Sequence, residues 1–379
     1  MVENPLQRLN AAGQSIWLDF IDRTTLRNGD LQRRIRDDAL TGMTSNPSIF
    51  EKALAEGSAY DDQIHSTDGN LTAMELFELI ATTDVRLACD AFTSVHEQTH
   101  GADGFVSIEV SPGAANDARA TISEGSRLWA TVDRRNVMIK VPGTAEGAIA
   151  VRQLTANGVN VNITLLFSID AYKSVIDAYM SGLEDRIKAG KQIDSIHSVA
   201  SFFVSRVDSE IDKRLDAAAK TSSNAAALKS LQGKAAVANA KLAYRLFQTE
   251  IATPRWAALA AQGATVQRPL WASTSTKNPA YRDVMYVEEL IGPDTVNTMP
   301  PQTIEAFRDH GIVKRTVDAN LDDAERTIKD LESNGISMRA VTDKLLVDGL
   351  ASFQKSFDTL IAGLQEKTKA LGKELAESR

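Results

Sequence analysis

Short apolar runs of strand length recur along the chain, with helical patterns between most of them. The strand candidates are 15–20 (SIWLDF), 39–43 (ALTGM), 104–110 (GFVSIEV), 136–141 (NVMIKV), 159–166 (VNVNITLL), 196–201 (IHSVAS), 268–273 (RPLWAS) and 295–299 (TVNTM). Helical patterns cover 72–98, 114–132, 145–156, 168–188 and 279–291. Strands alternating with helices predict parallel βαβ units. Eight such strands predict a closed (β/α)8 TIM-type barrel. A doubly wound open sheet is the alternative, but no Gly-x-Gly-x-x-Gly follows the first strand. Two gaps are longer than one crossover helix needs. Residues 45–103 have room for two or three helices. Residues 202–267 hold an Arg206–Leu215 helix, a polar Ala/Ser/Lys-rich stretch near 217–235 that reads as a surface insertion, and a helix around 236–251. The last part, 318–375, is helical and highly charged. The expectation is one barrel domain over 1–379 with these helical additions.

Strand side chains alternate between two faces. In 136–141, Val137, Ile139 and Val141 share the face expected to meet helices, which leaves Met138 and Lys140 pointing inward. The same reading puts Trp17 and Asp19, Ser107 and Glu109, and Asn162 and Thr164 inside. Asp19, Glu109, Lys140, Asn162 and Thr164 all stand near the C-terminal ends of their strands, where barrel enzymes carry their active sites. One inward polar residue is ordinarily a satisfied core group. Five converging at one end point to function, because burying charge is costly. Burial disfavours a charged ammonium, and a neutral amine attacks a ketone to form a Schiff base. Lys140 is therefore the candidate nucleophile, with Glu109 and Asp19 as proton carriers. The alternative is a structural ion pair between Lys140 and one carboxylate.

Composition narrows the class. Of 379 residues, 43% are apolar and 24% charged, ordinary for a globular protein. With 42 basic and 50 acidic residues the net charge is −8, so there is no global basic footprint of a nucleic-acid binder. Small anionic substrates stay open, since a few local cations suffice for one phosphate. A single cysteine, Cys89, excludes an intramolecular disulfide and a Cys-rich metal site. No signal-peptide pattern and no run of 18 apolar residues is present, which predicts a cytoplasmic protein without a membrane span.

Other motifs have plainer readings beside the functional ones. HEQTH at 96–100 matches the zincin string, and on a helix it would put His96 and His100 on one face. It lacks a third ligand: Asp103 and Val106 stand where a metzincin needs Gly and His. A solvated helix end is the expected reading, with no metal bound. Gly143-Thr-Ala-Glu-Gly147 lacks the Lys-Ser/Thr ending of a P-loop and reads as the turn after Lys140. Arg206, and Ser275 with Lys277 after the seventh strand, suit an anion in the region where barrels often bind phosphate, although surface cations are the commoner case. Asn46-Pro47 reads as a turn or as an amide held rigid toward substrate hydroxyls.

At these residues the sequence resembles the transaldolase family, and its length and insertions resemble the longer bacterial branch. The match comprises WLDF at 17–20, TSNPSIF at 44–50, SIEVSP at 107–112, IKVPGT at 139–144, NVNITLLFS at 160–168, SFFVSR at 201–206 and the STSTKN loop, in the family's order. The resemblance implies a class I aldolase barrel without metal or cofactor. Such an enzyme moves a dihydroxyacetone unit from sedoheptulose 7-phosphate to glyceraldehyde 3-phosphate, giving erythrose 4-phosphate and fructose 6-phosphate. It implies Lys140 as the Schiff-base lysine, Asp19 as the acid/base of C–C cleavage, and Glu109 with Thr164 as handlers of water and protons in imine formation. Asn46, Asn162 and Ser201 would hold the dihydroxyacetone hydroxyls, and Arg206, Ser275 and Lys277 the phosphate. Phe203 follows the pattern beside the acid/base water. Two positions depart: Phe202 stands where many relatives have Pro, and Lys277 where many have Arg, so the phosphate contact there would be a point charge and not a fork. The runner-up is a fructose-6-phosphate aldolase, which releases free dihydroxyacetone, but the chain is far longer than those aldolases. A non-catalytic sugar-phosphate-binding barrel would be expected to have lost Lys140 or a carboxylate. Monomer and homodimer both fit the sequence.

Overall fold

The computed structural model describes residues 4–55, 57–67 and 71–377. Eight parallel strands form a closed barrel: β1 Gln14–Asp19, β2 Leu40–Thr44, β3 Phe105–Glu109, β4 Val137–Pro142, β5 Val161–Leu166, β6 Ser198–Phe203, β7 Gln267–Ala272 and β8 Thr295–Met299. Each pairs with the next, and β8 returns to β1 with Gln14 opposite Thr295. Helices surround the barrel, so this is a (β/α)8 fold. Val137, Ile139 and Val141 are fully buried against that outer layer, as expected of a parallel sheet covered by helices.

Two features close the ends. Below, at the N-terminal end of the barrel, Asp103 accepts hydrogen bonds from Trp17 Nε1 (2.8 Å) and Ser15 Oγ, and faces Arg268 at 3.6 Å. Gly42 is required here: a Cβ would fall 2.5 Å from the Trp17 indole nitrogen. Above, the long helix Met338–Glu377 lies over the barrel mouth. Its Ser356 Oγ accepts from Ser48 Oγ at 2.7 Å, Phe357 meets Phe77 edge-on at 5.5 Å, and Gly349 passes so close to Leu165 that a Cβ would come within 3.0 Å of it.

Most element boundaries lie within one or two residues of the sequence reading, and residues 45–103 hold three helices, Pro47–Ala55, Asp61–His65 and Ala73–Gln98. The stretch near 217–235 contains the end of the Ser205–Ala219 helix and one short helix, Ala225–Ser230. The expected helix over 279–291 is not formed beyond Met285–Glu288. Side chains there take the backbone groups a helix would use: Asn278 Oδ1 accepts from Ala280 N (3.0 Å), and Thr276 Oγ1 donates to the Arg282 and Asp283 carbonyls (3.0 Å each). The helix expected from 114 begins at Ala118, where Asp117 caps it by accepting from Arg119 N and Ala120 N. Among the described residues, no helix is long and apolar enough to cross a membrane.

His197, just before β6, packs its ring 5.1 Å from that of Phe105. Burial pushes its pKa down from 6.5 to about 4, and nearby His96 and Arg268 add to the effect. The unfolded chain takes up this proton below about 6.5, the folded chain only near 4. Stability is therefore full above that window and falls as pH drops through it, by about 3 kcal/mol in total from this group. Urea midpoints at pH 7 and pH 4.5 should show a smaller acid loss in His197→Gln than in wild type. An equal loss in both would assign the acid sensitivity elsewhere.

Candidate active site

The β3–β4–β5 register sets Glu109 and Asn162 on either side of Lys140. Lys140 Nζ lies 3.1 Å from Glu109 Oε2 and donates to the Ser45 carbonyl at 2.9 Å. Its side chain is 6% exposed and that of Glu109 5%, so the charge is held in the barrel and not on its surface. Burial pushes the Glu109 carboxyl up, Lys140 pulls it down, and Asp19 pushes it up again. Burial likewise raises the Asp19 carboxyl, opposed first by Lys140 and then by the hydrogen bond from Thr44 Oγ1, 2.8 Å from Oδ1. Thr44 is itself 2.7 Å from the hydroxyl of Thr298, on the strand at the other side of β1. Two carboxyl groups raised by burial and lowered by the same ammonium thus share one site. That is the equipment for passing protons to and from a reacting carbonyl and hydroxyl.

A pocket of about 240 Å³ opens above these groups, lined by Asp19, Asn46, Lys140, Thr164, Ser201 and Phe203, with Arg206, Ser275 and Lys277 at its far side. Glu109 stands behind Lys140, outside the lining. Asn162 is also outside it and fully buried: its amide donates to Ser107 Oγ (2.9 Å) and accepts from Ser201 Oγ (2.7 Å). Asn46 Oδ1 accepts from Ile49 N at 3.0 Å, so the turn and the pocket readings of this residue hold together. β5 shifts register between Ile163 and Leu166, with Leu165 at φ 59°. Bulges re-aim side chains beside active sites. Here the Thr164 hydroxyl is buried at the pocket without a hydrogen-bond partner among the described residues.

The far side is cationic. Arg206 lies with its guanidinium carbon 5.3 Å from the Phe203 ring centroid, and among the described residues no carboxylate forms an ion pair with it. Burial lowers its pKa, while Asp19 raises it. Lys277 donates to Ser275 Oγ at 2.6 Å, and its pKa is lowered by burial and then by Arg206. Two mutually repelling cations beside the Ser275 hydroxyl suit an anion better than they suit each other.

Three lining residues had no sequence signal. Thr298 and Gln302 come from the end of β8 and the helix after it, and Phe353 from the long terminal helix. Only the closure of the barrel and the path of that helix bring them in. HEQTH does not form the arrangement a zincin needs. The helix ends at Gln98, His100 has φ 53°, and the His96 ring is engaged through Nδ1 with the Asp103 carbonyl at 2.8 Å.

Residues 16–364 match the model of the family described as Transaldolase/Fructose-6-phosphate aldolase. The chain belongs to this transaldolase/fructose-6-phosphate aldolase family. Among its relatives, "Transaldolase" of Trichodesmium erythraeum is 46% identical over 377 residues, covering 98% of this chain and 99% of its own. "Transaldolase" of Thermobifida fusca is 46% identical, covering 97% of this chain and 99% of its own. "Transaldolase 2" of a Nostoc species is also 46% identical, with 98% and 99% covered. The matches cover nearly the whole of this chain and of each relative.

Proposed function

We propose that the chain is a transaldolase. It transfers a dihydroxyacetone unit from sedoheptulose 7-phosphate to glyceraldehyde 3-phosphate, giving erythrose 4-phosphate and fructose 6-phosphate, as a cytoplasmic, single-barrel enzyme. The observation that carries this reading is the buried Lys140 held 3.1 Å from Glu109 at the foot of a pocket whose far side is cationic. Lys140 gives its proton to Glu109 and attacks the ketose C2 carbonyl. A second amine proton passes to the former carbonyl oxygen to make the carbinolamine hydroxyl, and Glu109, with Thr164 orienting the departing water, returns its proton as that hydroxyl leaves and the protonated imine forms. Asp19 then takes the proton of the C4 hydroxyl as the C3–C4 bond breaks, and the electron pair passes into the imine. The aldose phosphate departs. The acceptor aldehyde is attacked by the same three-carbon unit, Asp19 gives the proton back, and water releases the new ketose. Asn46 and Ser201 hold the hydroxyls of the three-carbon unit, and Asn162, bonded beneath them to Ser201 Oγ, adds its remaining amide proton when the ketose binds. Arg206, Ser275 and Lys277 hold the phosphate, and Phe203 shields the acid/base water.

The acceptor requirement separates this reading from an aldolase. Fructose 6-phosphate with erythrose 4-phosphate should yield glyceraldehyde 3-phosphate at a steady rate. Fructose 6-phosphate alone should release almost no free dihydroxyacetone. Equal release with and without the acceptor would make the chain a fructose-6-phosphate aldolase.

A further inference from the structure

The loop after β7 carries Ser275 and Lys277 and forms no helix until Met285. Its anchors come from elsewhere. The Ser205–Ala219 helix, which begins one residue before Arg206, presents Asp208 and Asp212 four positions apart, on one face. Tyr286 Oη donates to Asp208 Oδ2 at 2.9 Å, and Tyr281 Oη donates to Asp212 Oδ2 at 2.6 Å. The second oxygen of each carboxylate accepts a backbone N–H from the end of the 217–235 insertion or just beyond it. Ala236 N donates to Asp208 at 2.8 Å, and Gly233 N to Asp212 at 3.0 Å. Gly233 has φ 69°, and a Cβ there would come within 2.7 Å of Tyr281 Cζ, so the Tyr281 ring rests against a backbone that only glycine leaves clear.

From Tyr281 the connection runs on to the cationic side of the pocket. Thr276, between Ser275 and Lys277, is tied to the carbonyl of Arg282, the residue after Tyr281. The Arg282 guanidinium is held by Glu288 at 2.8 and 2.9 Å. On the side of Lys277 away from the active site lies an open cleft of about 560 Å³, bordered by Asp212 and Tyr281. Packing cannot fix a loop that borders open space, so polar ties must do so.

We infer that Asp212, Tyr281 and Gly233 form a brace that holds Ser275 and Lys277 against Arg206, which makes Asp212 and Tyr281 positioning residues for recognition of the substrate's phosphate end. The inference rests on the phosphate role proposed above. It also gives the 217–235 insertion a task, since that segment supplies the glycine side of the brace.

Borohydride trapping at Lys140 with three ligands tests this. Dihydroxyacetone has no phosphate, fructose has the full carbon chain, and fructose 6-phosphate has both. Tyr281→Phe should raise the half-saturating fructose 6-phosphate concentration at least about tenfold, since small misplacements of positioning groups have effects of that order or larger. It should leave half-saturation by dihydroxyacetone within about twofold. Gly233→Ala, which displaces the ring without touching its hydroxyl, should act in the same direction. An unchanged fructose 6-phosphate value in both variants, or an equal shift for dihydroxyacetone, overturns the brace. Wild-type protein that traps fructose and fructose 6-phosphate alike would instead refute the phosphate role, and the brace would fall with it.

Discussion

Lys140→Ala is expected to fold, to lose borohydride trapping with fructose 6-phosphate entirely, and to turn over at least about 10⁴-fold more slowly, the scale seen when a covalent nucleophile is removed. The effect is large because no other group can replace the amine. In wild type, peptide mapping after trapping should place the label on Lys140. The variant's fold is checked by its thermal transition. The substitution removes one charge of a buried pair, so Glu109 and the Ser45 carbonyl both lose the ammonium. Breaking a buried pair in this way ordinarily destabilises by about 3–5 kcal/mol. Here the Glu109 carboxyl, already pushed up by burial, can take a proton and lower that cost. Lys140→Met, which keeps the length of the side chain, provides a second inactive variant with fewer lost contacts. A label found on another lysine would overturn the assignment.

Asp19→Ala should separate cleavage from imine formation. Asp19 is on β1, away from the β3–β4 pair that holds Glu109 and Lys140. Its proton is needed at C4, and the imine forms at C2. The variant should still trap fructose 6-phosphate with borohydride, while turnover falls at least about 10²-fold, the usual worth of general acid–base assistance. Glu109→Gln should do the opposite and slow the trapping step itself. If Asp19→Ala abolishes trapping and Glu109→Gln leaves it untouched, the two roles are exchanged and the proposed sequence of proton transfers is wrong.

Strand alternation alone was enough to read the barrel and to put Asp19, Glu109, Lys140, Asn162 and Thr164 at one end of it, because a parallel strand covered by helices writes its outer face as Val, Ile and Leu. Which of those residues touch depends on register between strands, and that has no signature in a single strand. The 3.1 Å approach of Glu109 to Lys140 and the mutual bond of Asn162 and Ser201 are therefore properties of the assembled sheet. Phe353 was illegible for a related reason. Its helix also buries Val341, Leu345, Leu360, Leu364 and Leu371, and nothing local marks the one turn that meets the pocket. The 279–291 segment misled in the other direction. Its residues favour a helix, but Thr276 and Asn278 offer the backbone competing partners that a periodicity argument does not weigh.

The seam between β8 and β1 gives the two halves of the chemistry different folding histories. Gln14 bonds to Thr295 across 281 positions, and the Thr298 hydroxyl reaches Thr44 across 254. Lys140 and Glu109 meet across one βαβ unit. Closing a longer loop costs more chain entropy, and contacts of high sequence separation form late. The pair proposed to make the imine lies on two neighbouring strands of one βαβ unit. The surroundings that tune Asp19 are complete only when the barrel closes. On the proposed roles, capture of a ketose rests on neighbours along the chain, and its cleavage on the topology.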